Sequence, residues 1–184
     1  MNFCSHCGSD KILLRIPEGD TYKRFICQKC GTIHYQNPRL IVGCLATFEG
    51  KILLCKRDIE PQKGLWNLPA GFLENGEKVE DGALRELFEE SKATAEIIKL
   101  HVVFSLPEVH QVYLHFLCKL KTQSFSITPE SSEVRLFSPD EIPWESMAFQ
   151  SSTFALQKFI EYGSNFEGVH IGNYLKRENW MQGI

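Results

Sequence analysis

The chain has 184 residues, 43% of them apolar and 23% charged, with a formal net charge of −3 at pH 7. These are the proportions of an ordinary globular protein, and no run approaches the roughly 18 apolar residues of a membrane-spanning helix. The slightly acidic balance offers no general attraction to nucleic acid or anionic lipid, so a polyanionic substrate would have to be neutralised locally, by bound metal and a few placed cations.

The first residues, Met1 to Cys7, lack the basic and apolar regions of a signal peptide. A cytoplasmic location is therefore expected, with the seven cysteines serving as thiols or metal ligands rather than disulfides. Four of them form Cys4-x2-Cys7 and Cys27-x2-Cys30. Each such turn presents two thiolates to one ion, and two turns complete the tetrahedral sulfur shell that zinc favours. A glycine follows each pair (Gly8, Gly31), as a tight knuckle with positive φ requires. The stretch from Lys11 to Ile26 alternates as a short hairpin does. Residues 1–36 are thus read as a zinc ribbon whose ion is structural, since four thiolates leave no open position for catalysis. His6 and His34 are incidental to a shell already filled. The segment has two more basic than acidic residues, an excess that four thiolates and one zinc ion cancel, so a nucleic-acid partner is not expected.

Asn37-Pro38 marks a boundary. Leu40–Phe48 reads as a buried strand, Glu49-Gly50 as a turn, and Lys51–Arg57 as a second strand. Cys44 and Cys55 lie in these apolar runs, and Cys118 in the later strand Val112–Leu120; all three are expected as inert core thiols. From Lys78 to about Ser91 the period becomes helical, with Val79, Ala83 and Leu87 forming an apolar stripe that Leu84 and Phe88 widen. Glu77, Glu80 and Asp81 cluster at its start, where negative charge suits the helix dipole.

At 100° per residue, Glu86, Glu89 and Glu90 fall on one face of this helix. Three carboxylates so close repel one another. They form either a solvated charged face or a site where divalent cations relieve the repulsion, and hard oxygen ligands suit magnesium or manganese. The surrounding pattern, Gly71-x5-Glu77-x7-Arg85-Glu86-Leu87-x-Glu89-Glu90, resembles the Nudix box. From about Pro38 to Gly163 the chain is identified as a member of the Nudix hydrolase family, and its ribbon is similar to that of one Nudix subgroup. Where the family has glycine and an aliphatic residue after the glutamate pair, this chain has Lys92 and Ala93. A lysine at that helix end is expected to alter the exit without touching the metal ligands.

The resemblance implies an α-β-α sandwich with a mixed sheet, plus the small ribbon. It divides the chain into a ribbon (1–36), a Nudix domain (37–163) and a C-terminal extension (164–184). It implies hydrolysis of a nucleoside diphosphate linked to another moiety, with Glu86, Glu89 and Glu90 and the Ala70 carbonyl as ligands of catalytic Mg²⁺ or Mn²⁺. Arg85, which cannot ligate metal, would orient Glu77 or Glu89. Glu133, then Glu130, in a loop resembling the family's catalytic loop, are the candidate general bases. Arg57, Glu74, Trp66 and Phe72 are candidate substrate contacts. Two readings stay open for Arg57 and Lys56, a diphosphate grip or surface charge, and two for Trp66, Phe72, Phe104 and Tyr113, base stacking or core. His101, His110 and His115 are expected as hydrogen-bonded strand or loop residues.

Towards the C-terminus, Ser151 or Ser152 is expected to cap a helix with an apolar face of Phe154, Ala155, Phe159 and Tyr162 that Gly163 ends. Phe166, Tyr174 and Trp180 suggest docking on the body or on a second subunit, and a homodimer is plausible for so small an enzyme. Pro143–Phe149 does not match the stretch that marks NADH- and RNA-cap-cleaving members. In this the chain resembles compact zinc-ribbon members acting on ADP-ribose and FAD, and the expected substrate class is a nucleoside diphosphate derivative of the ADP-ribose, FAD or NADH type. A decapping enzyme for NAD-capped RNA and a non-catalytic nucleotide sensor are the alternatives; the sensor would be expected to carry a damaged box.

Overall fold

The computed structural model describes residues 1–174. The chain forms two compact units, Met1–Asn37 and the remainder from Pro38 onwards.

In the first unit, β1 (Ile12–Arg15), β2 (Arg24–Cys27) and β3 (Ile33–His34) make a small antiparallel sheet. The expected hairpin is β1–β2, in register from Ile12 opposite Cys27 to Arg15 opposite Arg24. Each Cys-x2-Cys turn closes by the same backbone bond, Gly8 N–H to Cys4 carbonyl and Gly31 N–H to Cys27 carbonyl, both 2.9 Å. Both glycines have positive φ, 71° and 74°. Cys4, Ile26 and Cys27 are its buried apolar residues, too few to hold 37 residues without a metal.

The second unit is built on one mixed sheet. Its strands are β4 (Arg39–Phe48), β5 (Lys51–Arg57), β6 (Trp66–Asn67), β7 (Ala70–Phe72), β8 (Ala95–Leu106), β9 (Gln111–Leu120), β10 (Ser131–Phe137) and β11 (His170–Asn173). The main order is β10-β5-β4-β9-β8-β11, with β6 on β5 and β7 on β4. The β4–β9 and β8–β11 pairs are parallel, the rest antiparallel. The described part of the expected C-terminal extension therefore contributes a strand to this sheet; Trp180 lies outside the described residues.

β4 is central and buried on both faces, which is why it reads as a nearly unbroken apolar run. Ile41 and Leu45 point into one core with Val102, Phe104, Leu117 and, from helix α2 (Gln150–Tyr162), Ala155 and Leu156. Val42, Cys44 and Ala46 point into the other with Leu53, Phe116 and, from helix α1 (Val79–Ser91), Ala83 and Leu87. Burying each large aliphatic side chain contributes roughly 1.5–3 kcal/mol, so the alternation along β4 fixes a helix to each face. The result is the expected α-β-α sandwich. The thiols of Cys44 and Cys55 are pushed well up by their surroundings: for Cys44 the neighbouring Cys118 and burial, for Cys55 burial. No helix among the described residues is long and apolar enough to cross a membrane.

Three local expectations are corrected. Phe88 does not widen the buried stripe: it is 48% exposed and lies under the Lys92 ammonium, 4.8 Å from its ring centroid. Neither serine caps α2, whose N-cap is Phe149 without a side-chain bond. Ser152 Oγ instead donates to Asn67 Oδ1 at 2.6 Å, an inward tie between α2 and β6. His115, fully buried, has no partner for either ring nitrogen among the described residues, whereas His101 Nε2 pairs with the Ala155 carbonyl at 3.0 Å.

Candidate active site and metal centre

The four ribbon thiols converge. Cys4 Sγ lies 3.7 Å from Cys30 Sγ and Cys7 Sγ 3.6 Å from Cys27 Sγ, and all four sulfurs lie within 4.8 Å of one another. A Zn–S bond of about 2.3 Å sets sulfur atoms about 3.8 Å apart across a tetrahedron, so the set fits zinc. Among the described residues it is the one group of three or more possible ligand atoms drawn so close; the carboxylates of α1 are more widely set.

The second centre forms where α1 meets β7. Glu86 and Glu90, one turn apart, are 8% and 5% exposed, whereas Glu89 is half-exposed. Gly71 leaves room for Glu86: a Cβ there would lie 2.3 Å from a Glu86 carboxylate oxygen, so any side chain would displace that carboxylate. The Ala70 N–H points at Glu90 Oε1 at a long 3.4 Å.

Arg85 ties the helix to the loop before it. Its Nε and Nη2 bond both oxygens of Glu77, at 2.6 and 2.9 Å, and its Nη1 reaches Glu86 at 2.7 Å and Glu89 at 3.0 Å. Nη2 also donates to the Phe72 carbonyl at 3.0 Å. One planar guanidinium thus orients three carboxylates and a strand, which a lysine could not do. The arginine holds the Glu77 carboxyl down to about 2. Burial raises Glu86 against the pull of Arg85, and burial pushes Glu90 up to about 8. Glu77 belongs to the scaffold of the site; Glu86 keeps one contact with Arg85, and Glu90 is buried with no ion pair among the described residues. That donor set fits a hard divalent cation.

Of the two candidate bases, Glu130 lies in the turn before β10 and Glu133, expected in a loop, lies within β10 itself. Glu133 lies opposite Lys56 in the β5–β10 pairing, its carboxylate 3.7 Å from the ammonium. Glu130 bears electrostatically on both Glu86 and Glu90. Its position is held by the Asp58 N–H on its carbonyl, 2.8 Å, and by Thr128, whose hydroxyl accepts from the Glu130 N–H and reaches the Glu90 carbonyl. The sequence favoured Glu133; Glu133 faces Lys56, whereas Glu130 is tied through Thr128 to the Glu90 carbonyl. Thr128 gave no sequence signal, because its role is a contact 38 residues away in the chain.

Of the candidate substrate contacts, Trp66 is in the core, edge-on to Phe137 with centroids 4.8 Å apart, so it has no free face for a base. Phe104 and Tyr113 are likewise buried. Arg57 is largely buried, with Nε on the Pro61 carbonyl at 2.9 Å and its guanidinium over Phe149, and it bears on Glu90. Phe72 is 46% exposed, with Arg39 over its ring. Glu74 is exposed in the turn, where its N–H donates to Glu77 Oε2.

The sandwich and its carboxylate helix define a class, the hydrolases of the Nudix fold. The NUDIX domain profile matches residues 37–157 and the Nudix N-terminal zinc-ribbon profile residues 2–36. A Nudix hydrolase from Nitrosomonas europaea, known as a crystal structure, is 50% identical with a TM-score of 0.89, covering 95% of this chain and 99% of that one. A protein named ADP-ribose pyrophosphatase from Methanocaldococcus jannaschii is 29% identical over 74% of this chain and 85% of its own length. The match to Nudix hydrolase 6 of Arabidopsis thaliana, 35% identical over 39% of this chain, spans 26% of that protein. The chain belongs to the Nudix hydrolase family, with a zinc-ribbon module at its N-terminus.

Proposed function

We propose that the protein is a Mg²⁺- or Mn²⁺-dependent diphosphatase that splits a nucleoside diphosphate linked to another moiety, releasing a nucleoside monophosphate, with ADP-ribose as the first candidate substrate. The observation that carries this reading is the pair Glu86 and Glu90, buried one turn apart on α1, with Glu90 in no ion pair among the described residues and Gly71 leaving room for the Glu86 carboxylate. The name of the Methanocaldococcus jannaschii relative supports ADP-ribose over FAD and NADH.

Glu86, Glu89 and Glu90 with the Ala70 carbonyl would hold the divalent ions, and Cys4, Cys7, Cys27 and Cys30 the zinc. The bound divalent ions supply charge neutralisation at the diphosphate and lower the pKa of a water. Arg85 keeps Glu86 and Glu89 aimed through its bonds to both and to Glu77. Arg57, beside Glu90, holds phosphate oxygen. Glu130 takes the proton of the attacking water, a role that its tie through Thr128 to Glu90 favours over Glu133, which faces Lys56.

The test is a product assay with magnesium or manganese over ADP-ribose, FAD, NADH and NAD-capped RNA, using the wild type, Glu130→Gln and Glu133→Gln. AMP from ADP-ribose is expected, with turnover lowered on the order of a hundredfold or more by Glu130→Gln and little changed by Glu133→Gln. No monophosphate from any substrate would sink the enzymatic reading, and the reverse ranking of the variants would restore Glu133.

A further inference from the structure

One cation near the site was not singled out by its sequence context. Arg39 opens β4, its N–H fixed to the His110 carbonyl at 2.8 Å. Its guanidinium lies over the Phe72 ring, 5.1 Å from the centroid. Ile41, two residues on, pairs with Phe72 across the β4–β7 ladder, and Arg85 holds the Phe72 carbonyl. The aromatic platform under Arg39 is therefore anchored to the guanidinium that orients the α1 carboxylates. A second chain of contacts leads to the same place. Arg39 and Arg57 both bear on the Tyr113 phenol, and Arg57 bears on Glu90. Among the described residues neither arginine forms an ion pair with a carboxylate.

An anion bound at this corner would meet Arg39, and Arg57 lies towards Glu90. The guanidinium over Phe72 makes no hydrogen bond among the described residues, so its planar fork of N–H donors is available to phosphate oxygens. Arg39 and Phe72 are both exposed, so this corner is open to a ligand.

We propose that Arg39, carried on Phe72, is a second anion-binding residue of the active site. Arg57 serves the phosphate at the divalent ions and Arg39 the adjacent phosphate further from α1. The residue then sets specificity: it selects ligands with two linked phosphates over monophosphates. This rests on the diphosphatase reading for the location of the first phosphate, and it is tested by binding rather than turnover so that the two can fail separately.

The measurement is calorimetric titration of the full chain, with zinc and magnesium present, with the non-hydrolysable αβ-methylene ADP and with AMP, for the wild type, Arg39→Ala and Arg39→Lys. An unchanged thermal midpoint establishes that the variants are folded, and exposure of the side chain makes that the expected result. Arg39→Ala should weaken the methylene diphosphate about tenfold, the size of one charge-assisted contact, and AMP less than about twofold. Arg39→Lys should fall between, because lysine keeps the charge and loses the planar fork. In steady state on ADP-ribose the same loss should appear in KM, with kcat nearly kept. Equal weakening of both ligands by Arg39→Ala, or weakening of neither, overturns the proposal. Diphosphate-selective binding through Arg39 in a protein that hydrolyses nothing would uphold it while overturning the hydrolytic reading.

Discussion

Lys92 shows how much one residue can depart from a family pattern without moving the site. The box has glycine there because the residue after the helix turns left-handed. Lys92 adopts that conformation regardless, with φ 58° and its N–H on the Phe88 carbonyl at 2.8 Å. The helix exit is therefore unaltered, contrary to expectation, and the cost falls on backbone energy, partly offset by the ammonium over the Phe88 ring. Lys92→Gly should raise stability by about 0.5–1 kcal/mol and leave turnover unchanged, since Lys92 is absent from the hydrogen bonds around Arg85. Thermal melts with parallel kinetics check this; a lower melting point would mean that the cation–aromatic contact outweighs the strain.

At the scale of elements, α1 carries its own destabilising charge. A carboxyl raised in the folded state binds more protons folded than unfolded, so stability falls as pH rises between the two values. For Glu90 that window runs from its ordinary value of 4.5 to about 8. The lowered histidines His101, His115 and His170, all depressed first by burial, act oppositely but only below 6.5. Between pH 6.5 and 8 the falling slope belongs to α1, while Cys27 and Cys30 of the ribbon, lowered in the fold chiefly by hydrogen bonds to their thiolates, give a rising one that zinc-loaded and zinc-free samples separate. Without magnesium or manganese, stability should drop on the order of 2 kcal/mol across that interval, and Glu90→Gln or added magnesium should flatten the slope. A wild-type slope that Glu90→Gln leaves unchanged would contradict the assignment.

The ribbon is the other element whose stability depends on an ion. Its three-stranded sheet has almost no apolar core, so metal binding is folding there. One equivalent of zinc per chain is expected by elemental analysis, and Cys4→Ser with Cys7→Ser should abolish it. A full equivalent retained in that variant would place the zinc elsewhere.

For the whole molecule, the parts legible in the sequence were those in which one local pattern carries the information. The paired cysteines, the run of β4, the periodic stripe of α1 and the spacing from Gly71 to Glu90 belong to this group. What stayed illegible depends on contacts between distant segments. Trp66 is an aromatic in a loop-like stretch until Phe137 covers it. Ser152 looks like a cap until Asn67 accepts its hydroxyl. The sequence ranks Glu133 above Glu130, and only the pairing of β10 with β5 sets Lys56 beside the first and Thr128 between the second and Glu90. Arg39 follows a proline and precedes a strand, and only the β4–β7 ladder brings it to Phe72. β11 joins β8 in parallel from a segment with no clear period.

The central claim is that buried glutamates on α1 hold the divalent ions that make the chain a diphosphatase. It is tested most directly by measuring AMP released from ADP-ribose as magnesium is titrated, for the wild type and Glu90→Gln. The expected result is no AMP without divalent metal, saturable activity with it, and a loss on the order of a hundredfold or more in the variant at any magnesium concentration. AMP formed at the wild-type rate by Glu90→Gln, or by the wild type stripped of divalent metal, would contradict it.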